Sequence, residues 1–172
     1  ITTFGSTGDG ISFSGTGFSY GNITGNRIFI NSSGTGIILN GYNHTLSDNR
    51  ITTLGSGGEG ILIGSGSDGI VFFNMVVNAS DSGTNDTLFD SDSIGTYNFT
   101  NVTFTGGKVG FVSTSNATQH VHWYVDALAN YTNGSLAPNS NISARDVNGA
   151  FRFNVLTGSD GRIIRQSVLE YT

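Results

Sequence analysis

The stretch ITTFGSTGDGI at residues 1–11 returns as ITTLGSGGEGI at residues 51–61, with IFINSSGTGI at residues 28–37 between them. Self-similarity of this kind restricts a chain to architectures in which one short unit stacks on its own copies. Each copy has a β-type opening, a Gly/Ser bend and a Gly-Ile step into a second strand. Asparagine precedes the opening strand in Asn26-Arg27-Ile28, Asn49-Arg50-Ile51, Asn74-Met75-Val76 and Asn101-Val102-Thr103. The spacing is irregular but stays in the middle twenties, which suits one coil of a parallel β-helix better than a helical repeat.

The third coil reads as three strands, ITTL at 51–54, GILIG at 60–64 and GIVFFN at 69–74. All are short, β-branched or aromatic, and bounded by Gly, Ser, Asn or Asp. Stacking such coils places Ile1, Ile28, Ile51 and Val76 in one interior column and Ile11, Ile37 and Ile61 in a second. Asn26, Asn49, Asn74 and Asn101 then form a ladder at one corner, each amide bonded to its neighbours along the axis. Gly10, Gly36, Gly60 and Gly69 fall where strands begin, at bends expected to need positive φ. The Gly-Xaa-Gly fragments are read as corners, not as phosphate loops.

Composition agrees. Charged residues are 11% of the chain, against roughly 25% in an ordinary soluble domain, and Gly, Asn, Ser and Thr take their place. These are poor or mediocre helix formers. Disorder is excluded by an apolar content of 36% with twelve Phe in strand-like runs. A net charge of −5 argues against nucleic acid as a partner. Without cysteine there is neither a disulfide framework nor a thiolate metal site. No apolar run has the length of a transmembrane helix. The opening ITTF lies inside a repeat, which reads as a processed or trimmed terminus.

Asn-X-Ser/Thr triplets begin at Asn22, Asn31, Asn43, Asn78, Asn85, Asn98, Asn101, Asn116, Asn130, Asn133 and Asn141. A chain this rich in Asn, Ser and Thr generates roughly half of these by chance. The remainder point to N-linked glycans on a secreted surface, where sugars supply the hydration that charge does not.

Two clusters are candidate metal ligands. Asp81, Asp86, Asp90 and Asp92 lie in a longer fourth coil and suit calcium as hard oxygen ligands, although their spacing lacks the order of known calcium loops and favours a solvated loop. His120, His122 and Asp126 share a strand face and are candidates for a transition metal. Otherwise no cofactor is expected. Asp9, Asp48, Glu59 and Asp68 are the remaining acids of the β-helix. Asp9 and Glu59 sit at equivalent corners two coils apart, roughly 10 Å by sheet spacing, a marginal separation for an inverting carboxylate pair. An enzyme is therefore not expected.

After about residue 115 the pattern changes. In His120-Val121-His122-Trp123-Tyr124-Val125-Asp126-Ala127 apolar and polar residues alternate as in a half-buried strand. Phe151, Phe153 and Val155 alternate likewise, and Thr157–Gly161 reads as a turn leading to a returning strand Arg162-Ile163-Ile164. Residues 1–115 are thus read as a right-handed parallel β-helix of about four to five coils, and residues 116–172 as a small antiparallel β-sandwich or cap, making the chain all-β.

The Asn-X-Ile…Gly-X-Gly-Ile pattern resembles the β-helix repeats of pectin-lyase-like proteins, including archaeal surface proteins. The segments Asp146-Val147-Asn148-Gly149 and Ser159-Asp160-Gly161-Arg162 are similar to carboxypeptidase-regulatory-like β-sandwich modules, which follow β-helices in cell-surface proteins of methanogenic archaea. The resemblance implies an extracellular envelope protein of the sheath or surface-layer type, with itself as partner through strand edges and with N-linked glycans. The alternatives are a carbohydrate-binding or adhesive module, with Tyr20, Tyr42 and Tyr97 as sugar platforms, and a polysaccharide lyase or hydrolase.

Overall fold

The computed structural model describes residues 8–13, 17–80, 85–90, 93–106, 108–112 and 114–171, together with the main chain of residues 2–3. It contains two compact units, Ile1–Val121 with Tyr171–Thr172, and His122–Glu170. The division falls inside the strand Asn116–Val125.

The first unit is an all-β parallel solenoid of about four turns. One face stacks Thr2–Thr3, Arg27–Ile30, Arg50–Thr53 and the later halves of Val71–Ala79 and Ile94–Phe104. A second stacks Ile11–Phe13, Ile37–Leu39, Ile61–Ile63, Thr87–Phe89 and Val109–Phe111. The third stacks Asn22–Thr24, Thr45–Ser47 and the earlier halves of the two long strands. In the third turn the strands are Arg50–Thr53, Ile61–Ile63 and Val71–Ala79. The last of these continues past Asn74 onto the first face instead of stopping there.

In Ile37–Leu39, Ile61–Ile63 and Thr87–Phe89 the outer two residues are buried and the middle one is half-exposed, the period of two that a one-sided strand requires. In-register stacking turns that alternation into interior columns. Ile11, Ile37 and Ile61 form one, continued by Thr87 and Val109. Ile23, Leu46, Phe72 and Phe99 form another. The first-face column is Ile28, Ile51 and Val77, because Val76 pairs with Arg50 and so faces outward. Ile1, also expected in that column, lies outside the described residues.

Gly10, Gly36 and Gly60, which open the second face, and Gly69, which opens the third, are required for different reasons. Only Gly69 among the four has positive φ, at 65°. A Cβ on Gly36 would collide with the side chain of Ile51 and would lie 2.5 Å from the carbonyl oxygen of Gly60. Gly10 and Gly60 are confined in the same way, by Ile28 and by Val77. Close approach between turns is the constraint.

In the second unit, Asn141–Arg145 and Phe151–Leu156 form a two-stranded antiparallel sheet with an irregularity between Ala144 and Arg145. Asp146 shapes the connecting turn by accepting the N–H groups of Asn148 and Ala150 at 2.9 and 2.8 Å. Thr157, 2% exposed, donates to the Ala137 carbonyl and accepts the Ser140 N–H, at 2.7 and 2.9 Å. The Gly158–Gly161 turn is present, closed by Gly158 N–H to the Arg162 carbonyl at 2.7 Å. Arg162-Ile163-Ile164 is not a returning strand, however. Phe151–Leu156 already has Asn141–Arg145 as its partner, and Arg162 makes a single antiparallel bridge with Leu128.

Candidate functional site

The chemistry-bearing side chains of the solenoid lie at its corners. At the entrance to the second face, the register places Asp9, Thr35, Glu59 and Asn85 in one column. Asp9 Oδ1 accepts the Thr35 N–H at 2.8 Å, and Glu59 Oε2 accepts the Asn85 N–H at 2.5 Å. Each carboxylate therefore satisfies a backbone donor one turn on. Burial pushes the Glu59 carboxyl above its ordinary range, opposed by the hydrogen bonds from Asn85. The equivalence of Asp9 and Glu59 is real, and both act as inter-turn acceptors.

The corner between the third and first faces carries the asparagines, in two columns and not one. Asn49 Oδ1 accepts from the Asn26 N–H at 2.9 Å and from Asn26 Nδ2 at 3.0 Å. Asn49, 2% exposed, donates its own Nδ2 to the Ile23 carbonyl at 2.8 Å. Met75 and Val102 take over this position in the following turns. Beside it runs a left-handed column of Gly25, Asp48, Asn74 and Asn101, with φ of 67°, 56°, 50° and 54°. Asn74 Nδ2 donates to Asp48 Oδ1 at 3.2 Å, and Asn101 Nδ2 to Asn74 Oδ1 at 3.0 Å. The single ladder expected from sequence thus changes column between Asn49 and Asn74. Gly, Asn and Asp tolerate left-handed φ, which accounts for this residue choice.

The corner leading into the third face brings Tyr20, Asn43 and Gly69 into register, again all left-handed, with φ of 60°, 57° and 65°. Tyr20 and Tyr42 are exposed there, at 80% and 46%. Tyr97 is not a surface platform: it is fully buried, and its hydroxyl donates to the Ser67 carbonyl. Burial, with Asp68 nearby, pushes that hydroxyl's pKa up. Asp68 Oδ1 itself accepts the Gly69 N–H at 2.7 Å.

Sequence reading passed over His44, which is 1% exposed. Its Nδ1 accepts the Gly21 N–H at 3.0 Å, so Nε2 holds the proton and donates to the Asn40 carbonyl at 3.1 Å. A single histidine inside a sequon carries no signal for such a role.

The candidate metal ligands are placed in part. Asp81 and Asp92 lie outside the described residues. Asp86 is fully buried and its Oδ1 accepts the Ala79 N–H at 2.6 Å, whereas Asp90 is half-buried. His120 belongs to the first unit, His122 and Asp126 to the second. Asp126 is engaged by Arg165 through contacts of 3.0 and 2.9 Å, and that guanidinium holds its carboxyl below the usual range. Arg165 also lies over the Tyr124 ring, 4.9 Å from its centroid. Among the described residues, no group of three or more His, Cys, Asp or Glu is placed to hold an ion.

The sequon asparagines divide by accessibility. Asn22, Asn31, Asn43, Asn116, Asn130, Asn133 and Asn141 are exposed, and Asn78, Asn85, Asn98 and Asn101 are half-buried. Two of the half-buried amides are engaged, Asn101 Nδ2 with Asn74 and Asn85 Nδ2 with Glu59, at 3.0 and 3.5 Å. No protein-family model, curated protein or solved structure matches the chain.

Proposed function

We propose that this chain is an extracellular structural protein of a cell envelope, a glycosylated solenoid that assembles with copies of itself into a sheath, surface layer or fibre. The observation that supports this reading best is the use made of its polar corner residues. Asp9, Glu59, Asn49, Asn74 and Asn101 all hydrogen-bond from one turn to another. Side chains that a polysaccharide-cleaving enzyme would aim at substrate are here directed along the stacking axis, as a scaffold needs. The exposed sequons supply a hydrated flank for a chain with few charges.

Assembly is by strand addition. Strand edges that one chain leaves unpaired are templates for another. In this reading the solenoid is right-handed, the hand that parallel crossovers favour, and residues 116–172, with the antiparallel pair Asn141–Arg145 and Phe151–Leu156, serve as a small cap. Negative-stain microscopy of purified protein over rising concentration tests the reading. Filaments or sheets are expected, and discrete monomers at every concentration would refute it.

A further inference from the structure

Tyr20 holds a backbone conformation that its side chain disfavours. Its φ of 60° is left-handed, while 80% of the residue faces solvent. A bulky side chain rarely adopts this region, and Gly, Asn and Asp are its ordinary occupants. The in-register residues of the next two turns, Asn43 and Gly69, are of that ordinary kind. The Tyr20 N–H donates to the Tyr42 carbonyl at 3.0 Å, which fixes the residue at this corner. Burial of the ring within the chain does not offset the cost. An outlier of this sort points to a role for the side chain outside the polypeptide core.

What lies beside it identifies that role. Asn43 opens the sequon Asn43-His44-Thr45 and is exposed. Its Oδ1 sits 2.5 Å from where a Cβ on Gly69 would be, so that arm of the amide occupies the space the glycine leaves. Nδ2 is the remaining arm, the atom to which an N-linked sugar attaches. The register stacks Tyr20 on Asn43 in adjacent turns, one strand spacing of about 4.8 Å apart, and both residues share the left-handed φ. Tyr42, 46% exposed, immediately precedes Asn43.

We propose that Asn43 carries an N-linked glycan whose first sugar ring lays its C–H face on Tyr20, with Tyr42 alongside. The inference rests on the glycoprotein reading above. Attachment joins Nδ2 to the anomeric carbon of an activated glycosyl phosphate donor, with loss of one Nδ2 proton and the donor's phosphate. Covering the exposed ring removes apolar surface from water, and the tyrosine hydroxyls are able to bond sugar hydroxyls. The glycan thereby offsets backbone strain that the bare chain retains.

The test uses the whole protein secreted from a host that glycosylates sequons, as wild type, Tyr20→Gly, Thr45→Ala and the double variant. Peptide mass spectrometry reads occupancy at Asn43, Asn22, Asn31 and Asn116, and thermal unfolding reads stability. Asn43 is expected to be occupied. Tyr20→Gly should then lower Tm in the otherwise native chain but raise it or leave it unchanged in the Thr45→Ala background, because glycine relieves the left-handed strain. Asn43 bare while other sequons are occupied overturns this proposal alone, whereas all sequons bare overturns the glycoprotein reading with it. Occupied Asn43 with the same Tyr20→Gly effect in both backgrounds also overturns it.

Discussion

Phe99 lies flat against Phe72 of the preceding turn, with ring centroids 4.2 Å apart and planes within 4° of parallel. Isolated aromatic pairs prefer offset or edge-on arrangements. Here the in-register parallel ladder, Phe72 opposite Phe99, imposes the stack. Phe89 and Phe111 repeat it on the second face at 4.7 Å and 9°. Both Phe72 and Phe99 are fully buried. Phe99→Ala should therefore cost about 3–5 kcal/mol, measured by urea unfolding. Phe99→Leu should cost less, since it leaves a smaller cavity.

Two glycines should respond oppositely to added side chains. Gly36→Ala forces a methyl between Ile51 and the Gly60 carbonyl and should destabilise by about 1–3 kcal/mol. Gly25 is left-handed, has open space where a Cβ would go, and heads the column of Asp48, Asn74 and Asn101. Gly25→Asn extends that column and should be neutral or stabilising, by up to about 1 kcal/mol through the unfolded state. Chemical denaturation of the pair distinguishes packing from φ as the reason for each glycine.

Glu59 gives a pH dependence of definite sign. Its carboxyl is raised in the folded state by burial, so the fold binds its proton more tightly than the unfolded chain does. The associated stability is present below the ordinary glutamate range and is lost as pH rises through the raised folded value. Glu59→Gln retains an acceptor for the Asn85 N–H without the charge. The variant should melt above wild type at pH 7, and the gap should close as pH falls below the ordinary glutamate range, as read by thermal scans across pH.

Asp146 has the opposite sign. The Ala150 and Asn148 N–H groups and Arg152 lower its carboxyl, so its contribution is present above the ordinary aspartate range and disappears as pH falls through the lowered value. Asp146→Asn should weaken protection of the Ala150 amide at pH 7 and have little effect at the acid end, by hydrogen exchange.

Sequon occupancy should follow amide engagement. Asn101 and Asn85 commit Nδ2 to neighbours, whereas Asn22, Asn31, Asn116 and Asn141 are exposed. Glycopeptide mass spectrometry of secreted protein should find the first pair less occupied than the second group. Equal occupancy would show that glycan addition precedes closure of the corners.

The stacked architecture was legible because Gly-Ile steps and β-branched triplets recur at each turn, and the second-face column Ile11, Ile37 and Ile61 followed from them. The asparagine corner was less so. Turns at this corner are offset by 23, then 26, then 27 residues, so Asn74-Met75-Val76 resembles Asn49-Arg50-Ile51 yet sits one position out of step. The better guide is the left-handed residue itself, a position that favours Gly, Asp or Asn and is filled in turn by Gly25, Asp48, Asn74 and Asn101. Tyr97 could have been placed inside, since it alternates with Phe99 along one strand. His44 could not, because its partners, the Gly21 N–H and the Asn40 carbonyl, are main-chain atoms brought to it by the stacking.

X-ray fibre diffraction from oriented assemblies of the purified protein tests the structural role most directly. Solenoids joined through their strand edges place every strand across the fibre, so a meridional reflection near 4.8 Å is predicted. Ordered assemblies lacking that reflection, or protein that stays monomeric at the concentrations needed for alignment, would contradict it.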